Sequence, residues 1–163
     1  MTLEPDDIRF HLTSSQQFDV RASMLLLHHN QLLVYRDCDY QKTTFIVPGG
    51  AIKFNETGQE AAVRETLEEV GIRIANPEFA GFIEAFWTND HKSFHQITMV
   101  FRHEVTLAES KQLIDLHEEN LDLPADTKLI WRPITQLEDQ IQPRHLLSLT
   151  KLGSSPKHEI DRR

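Results

Sequence analysis

Apolar positions along the chain alternate with polar ones in some stretches and recur at helical spacing in others. Residues 18–27, rich in Val, Met and Leu, are followed by the polar run His28, His29, Asn30 and Gln31 and then by Leu32, Leu33, Val34, Tyr35 and Arg36. This pattern predicts two strands joined as a β-hairpin. Phe45, Ile46 and Val47 predict a short buried strand stopped by Pro48, Gly49 and Gly50. From residue 57 to 70 the period becomes helical: Ala61 and Ala62 favour a helix, and Gly71 stands where a left-handed C-terminal cap is expected.

Beyond that helix, residues 79–87 and 96–105 predict a second hairpin, with the polar stretch 88–93 as its link. Residues 108–127 are polar and acidic, and their Leu and Ile spacing supports at most a short helix or an irregular loop. Leu129, Ile130 and Trp131 predict a last strand, and residues 143–152 a C-terminal helix with Leu146, Leu147 and Leu149 partly buried. The tail, residues 153–163, is polar and is expected to fray. Strands dominate with at least two helices packed on them, which indicates a mixed α/β sandwich. No repeat or linker divides the chain, so residues 1–163 are expected to form a single domain.

Composition narrows the function classes. At 39% hydrophobic and 26% charged residues the chain can build a core and is too apolar for a disordered chain. Its longest apolar runs fall far short of the roughly 20 residues needed to span a bilayer. The acidic start, Met-Thr-Leu-Glu-Pro-Asp-Asp, does not resemble a secretory signal, so a cytoplasmic location is expected. The lone Cys38 excludes an intramolecular disulfide and fits a reducing compartment. A net charge of −8 argues against a nucleic-acid partner, which would need clustered cations. An acidic protein that handles a small anion needs a device against repulsion, and a divalent cation held by carboxylates is the usual one.

On a helix over 57–70, Glu65, Glu68 and Glu69 fall within an arc of roughly 100°, with Val63, Leu67 and Val70 on the opposite side. That geometry predicts an apolar face toward the sheet and a separate carboxylate face. Like charges at this spacing are mildly unfavourable, and a hard cation such as Mg²⁺ would neutralise them. For three glutamates alone, a solvated acidic face is the better explanation.

The neighbours of these glutamates favour the cation. From Gly50 to Ile72 the chain reads Gly-x5-Glu56-x7-Arg64-Glu65-Thr66-x-Glu68-Glu69-x-Gly71-Ile72, which resembles the 23-residue signature of the Nudix hydrolases in every required Gly, Glu and Arg. Thr66 is the one departure, where that family usually carries an aliphatic residue at a packing site. The resemblance extends more loosely from the first hairpin through Val47-Pro48-Gly49-Gly50 to Trp131 and Pro133. It implies a Nudix α/β/α sandwich with a central mixed β-sheet.

The activity implied is hydrolysis of a diphosphate linkage in a nucleoside diphosphate-linked substrate, a (d)NTP or a related nucleotide, by water activated on Mg²⁺, with Mn²⁺ as a substitute. Glu65, Glu68 and Glu69 then resemble metal ligands, joined by the backbone carbonyl of Gly49 or Gly50, and Glu56 and Arg64 resemble a supporting pair. General-base candidates are Glu68 or a later-loop acid, with Glu118 and Glu119 ahead of Glu104. Arg36, Gly50, His95 and Glu119 are the positions implied for substrate contact. Arg36 resembles a phosphate-contacting position of MutT-like relatives, and Phe94-His95-Gln96-Ile97 resembles a His-Glu-Ile stretch of other branches.

Some features depart from the family. Lys53 and Asn55 replace a common acid and glycine, which bears on local charge and loop shape. Relatives that read oxidised guanine use an asparagine near the last helix. Here residues 142–152 offer Arg144 and His145 but no Asn, which weakens a role in sanitising oxidised dGTP. Two further readings stay open: a Nudix-fold module that senses a nucleotide without cutting it, and an isomerase of prenyl diphosphates, for which Cys38 would be the only available catalytic cysteine. Dimers are common in the family, so a homodimer is compatible with the sequence.

Overall fold

In the computed structural model of the protein, residues 6–37, 44–114, 122–123 and 127–163 are described. Their fold is organised by one long strand, β2 (Gln16–His28). Along one edge it runs parallel to β7 (Lys92–Glu104), from Gln16 opposite Ser93 to Leu27 opposite Glu104. Three short strands share its other edge in turn: β1 (Arg9–Thr13), β5 (Gly49–Ala51) and β3 (Gln31–Asp37). The sheet continues through β6 (Glu78–Asn89) to β10 (Lys157–Arg162) on one side. On the other it passes from β3 to β8 (Leu129–Pro133), and to β4 (Thr44–Ile46) and β9 (Ile141–Gln142).

Both expected hairpins form, and each turns on two residues of positive φ: His29 and Asn30 in the first, Asp90 and His91 in the second. That conformation matches the twist of the flanking strands, and Asn and Asp tolerate it better than most residues. Alternation along β2 sends Ala22, Met24 and Leu26 to one face and Leu25 and Leu27 to the other. The first face packs on helix α1 (Gly58–Val70) through Ala61, Ala62 and Val70. The second is covered by Leu137, Leu146 and Leu149. A short helix α2 (Leu107–Ile114) overlaps the start of residues 108–127, for which the sequence supports at most a short helix. Among the described residues no helix is long and apolar enough to cross a membrane.

Four of the expected elements need correction. Gly49 and Gly50 do not merely stop β4: they form β5, because small residues fit beside Arg21, Ala22 and Ser23 on a free stretch of the β2 edge. The segment Leu129–Pro133 is not the last strand, since β9 and β10 follow it. In place of a helix over 143–152 there is one 3-10 turn, Leu146–Leu149. The hydroxyls of Ser148 and Thr150 donate back to the carbonyls of His145 and Leu147, and two leucines three apart are enough to fill the core there.

The tail is the fourth correction. Lys157 to Arg162 pairs in parallel with Gly81 to Phe86 instead of fraying. Its carboxylate Asp161 is buried, accepts from the Arg144 amide at 3.0 Å and pairs with Arg163 at 3.1 Å. Just before it, the fully buried Arg102 of β7 donates to the Leu149 carbonyl at 3.0 Å and the Ser154 hydroxyl at 2.9 Å, with Glu78 as its counter-ion. Polar pairing holds this strand, so a hydropathy pattern carries no sign of it.

Candidate active site

Helix α1 begins with a reciprocal cap: Thr57 accepts from the Glu60 amide while the Glu60 carboxylate accepts from the Thr57 amide at 2.8 Å. It ends on Gly71, whose φ of 80° is left-handed and whose amide donates to the Leu67 carbonyl. The face it turns to the sheet is Gly58, Ala61, Ala62, Thr66 and Val70. Of the expected apolar face of Val63, Leu67 and Val70, Val70 is buried and Val63 packs on the core, but Leu67 is 38% exposed and does not belong to it. Small residues, not large ones, let the helix approach the glycines of β5. Buried Thr66 satisfies its hydroxyl on the Ala62 carbonyl at 2.7 Å, so a polar side chain is accommodated at that packing site.

Close approach places the carboxylates differently from a separate acidic face. Glu65 lies against Gly50, where a Cβ would collide with its carboxylate. Glu69 accepts from the Gly49 amide at 2.9 Å. Glu68 is the most exposed of the three, at 41% of its side chain. Burial raises the pKa of Glu65 against the opposing Arg64 hydrogen bond. Burial likewise pushes Glu69 up to about 8; the Gly49 amide opposes this and the charge of Glu65 adds to it.

Glu56 and Arg64 meet as the sequence pattern implied. The guanidinium donates from Nε to Oε1 of Glu56 at 2.8 Å and from Nη2 to Oε2 at 3.0 Å, a bidentate pair. Its remaining donors reach the Ala51 carbonyl at 3.1 Å, Glu65 at 2.7 Å and Glu68 at 3.3 Å. Burial alone would raise Glu56, but the Arg64 bonds and the Lys53 amide outweigh it and hold the carboxyl below its ordinary value. Those bonds, the Glu56 pair first, stabilise the Arg64 cation in turn. Asn55, in place of a common glycine, takes φ 66°, so the loop keeps a left-handed residue there.

Two residues that sequence reasoning missed sit beside this cluster. Arg21 of β2 donates to the Gly49 carbonyl at 3.1 Å, and its charge lowers the pKa of both Glu65 and Glu69. The only sequence signal for it is a cation interrupting an apolar strand. The Asp122 amide donates to the Glu68 carbonyl at 2.8 Å, and its charge raises Glu69. Other expected residues stand elsewhere. Arg36 is exposed at the end of β3, opposite Phe45. His95 lies on β7 between Phe18 and Phe86, bonded to Glu84 at 3.2 Å. Glu104 is exposed at the end of β7. Cys38, Glu118 and Glu119 lie outside the described residues.

Among the described residues no three acidic, histidine or cysteine side chains converge on one ion in this arrangement. Arg64 holds Glu65 and Glu68, and the Gly49 amide holds Glu69. The donors nevertheless fit a hard divalent cation: all are oxygens, two are desolvated carboxylates that lack a full counter-charge, and the Gly50 cradle leaves room for Glu65 to lie at the strand.

A family model described as NUDIX domain matches residues 17–151. Among solved structures, a MutT NUDIX hydrolase from Burkholderia pseudomallei is 18% identical, with TM-score 0.59 over 83% of this chain and 99% of its own. The MutT protein from Bacillus halodurans is 20% identical, with TM-score 0.54 over 76% and 73%. An ADP compounds hydrolase is 18% identical, with TM-score 0.51 over 82% and 63%. At these identities the likeness is one of fold.

Proposed function

This chain belongs to the NUDIX domain family, hydrolases acting on phosphorus-containing anhydrides, and on that premise we propose that it cleaves a diphosphate linkage in a nucleoside diphosphate-linked substrate. A (d)NTP or a related nucleotide is the substrate we put first, in keeping with neighbours named as MutT proteins and as an ADP compounds hydrolase. The observation that carries this reading is the pair of desolvated glutamates, Glu65 and Glu69, held against Gly50 and Gly49 by a helix that a bidentate Glu56–Arg64 pair braces.

In this reading Glu65, Glu68 and Glu69, with the Gly49 carbonyl, hold Mg²⁺ or Mn²⁺. The ion supplies charge neutralisation for the diphosphate and activation of the attacking water. The protein's own groups do the rest. Arg64 fixes Glu65 and is itself fixed by Glu56, so the carboxylates are aimed before substrate arrives. Arg21 steadies the Gly49 carbonyl and adds positive charge where an anionic diphosphate must approach an acidic helix. Glu68, the most accessible of the three, is the general base we favour within the signature. Glu119 and Arg36 remain our proposals for substrate contact. The cytoplasmic location and a small-molecule partner belong to the same reading.

The test is a Mg²⁺ and Mn²⁺ assay over nucleoside triphosphates, nucleoside diphosphate sugars and dinucleoside polyphosphates. Metal-dependent release of phosphate or a nucleoside monophosphate is expected. Glu69→Gln should abolish it, and Glu56→Gln should lower it about 10- to 100-fold through the support of the ligands. Saturable nucleotide binding with no turnover on any substrate would replace this reading with a sensing module.

A further inference from the structure

Helix α1 covers only part of its face of the sheet. Past its N-terminus, where Gly58 meets Met99, the same face carries one cross-strand row of five side chains. Phe10 of β1 stands opposite Phe18 of β2, Phe18 opposite His95 of β7, His95 opposite Phe86 of β6, and Phe86 opposite Arg162 of β10. The rings form a continuous ladder. Phe10 and Phe18 are 6.4 Å apart and nearly parallel, Phe18 meets His95 edge-on at 5.1 Å, and His95 stacks on Phe86 at 4.2 Å. Arg162 lies over Phe86 at 4.2 Å.

The four rings of this row floor an open cleft of about 780 Å³, within the range of small-molecule sites. Phe10 is 57% exposed and Leu12 69% exposed at its rim, far from the usual fate of such side chains. In a protein of net charge −8, no Asp or Glu is among the described residues that line it. Arg162 flanks the ladder, and the nearest carboxylates are engaged: Asp161 by Arg144 and Arg163, and Glu84 by His95 and His158. The cleft is thus aromatic, with the Arg162 cation at the end of its row, which selects a planar ring that bears negative charge.

It is also separate from the carboxylate cluster. Phe18 is four residues from Ala22, the residue opposite Gly50, or about 13 Å along the strand. Between them the face is occupied by Val20, which packs with Ile8 and Ile52 and is joined to both by backbone hydrogen bonds.

We infer that this cleft is a second ligand site, one that takes a nucleoside monophosphate-type anion with its base on the Phe10–Phe18–His95–Phe86 ladder and its phosphate toward Arg162. The choice of a nucleotide among aromatic anions rests on the hydrolase reading above; the existence of the site does not. Trp87, next to Phe86 on β6 and among the residues that border the cleft, with its ring stacked on Phe94 at 4.9 Å across the sheet, is the natural reporter.

The experiment titrates AMP into a Trp131→Phe protein in EDTA, where no metal-dependent turnover occurs, and follows Trp87 fluorescence. Saturable quenching below millimolar AMP is expected, with none from inorganic phosphate. Phe10→Ala and Arg162→Glu, both at exposed positions, should each raise the apparent Kd at least tenfold, whereas Glu69→Gln should leave it unchanged. Three results would overturn the inference: no saturable change with AMP, binding lost in Glu69→Gln but kept in both cleft variants, or a concentration-dependent dimer in sedimentation that Phe10→Ala dissolves. Since turnover plays no part in the measurement, its failure leaves the hydrolase reading standing, and the reverse also holds.

Discussion

Glu69 shows what burial does to a single side chain. A carboxyl pushed up to about 8 in the folded protein, against an ordinary value of 4.5, takes up a proton when the chain folds. Its folding contribution is therefore most favourable below pH 4.5 and is lost as pH rises through about 8. In EDTA, thermal melts of the wild type should fall between pH 5 and pH 8 more steeply than those of Glu69→Gln. Parallel curves would show that Glu69 is not desolvated. Gly50→Ala separates placement from stability. The new methyl collides with the end of the flexible Glu65 side chain, not with backbone, so the melting temperature should change little while metal-dependent turnover falls at least tenfold. An equal loss of both would point instead to a damaged strand. These residues were legible in the sequence because they lie within 23 consecutive positions of a strict spacing. Arg21, which reaches Gly49 across 28 positions of chain, and Asp122 were not, because contact between distant segments leaves no local pattern.

Elements were legible where large apolar side chains recur and illegible where small or polar ones do the packing. Both hairpins and the limits of α1 follow from alternation and capping residues. The buried face of α1 does not, because a periodicity of large residues points to Leu67, while close packing on glycine calls for Ala61, Ala62 and Thr66. The same reason hides β10, whose anchors are Asp161 and Arg102 in place of apolar residues. Gly81 makes its docking possible. It sits at the β6 irregularity with φ 139°, and a Cβ there would strike the Lys157 backbone. Gly81→Ala should thus cost about 1–3 kcal/mol from the strained φ alone, before any displacement of β10, read as a lower urea midpoint. An unchanged midpoint would mean that β10 contributes nothing to stability.

At the scale of the whole molecule, fold class and reaction class came from the chain itself, since both follow from one signature and the hairpins around it. The wide apolar cleft did not, because it is assembled from two hairpins, β1–β2 and β6–β7, that meet only after folding. Its floor, the glycines of β5 and the first hairpin are all attached to the single strand β2. That arrangement has a consequence for how the protein opens. Amides at Met24, Leu25 and Leu26, in fully buried residues paired along β7, should exchange with deuterium only when the entire chain unfolds, while those of Phe10 and Leu12 on β1 should exchange through local fraying. Comparable rates at the two places would refute this. If they differ as expected, the backbone beneath Glu65 and Glu69 is fastened to the last part of the protein to come apart.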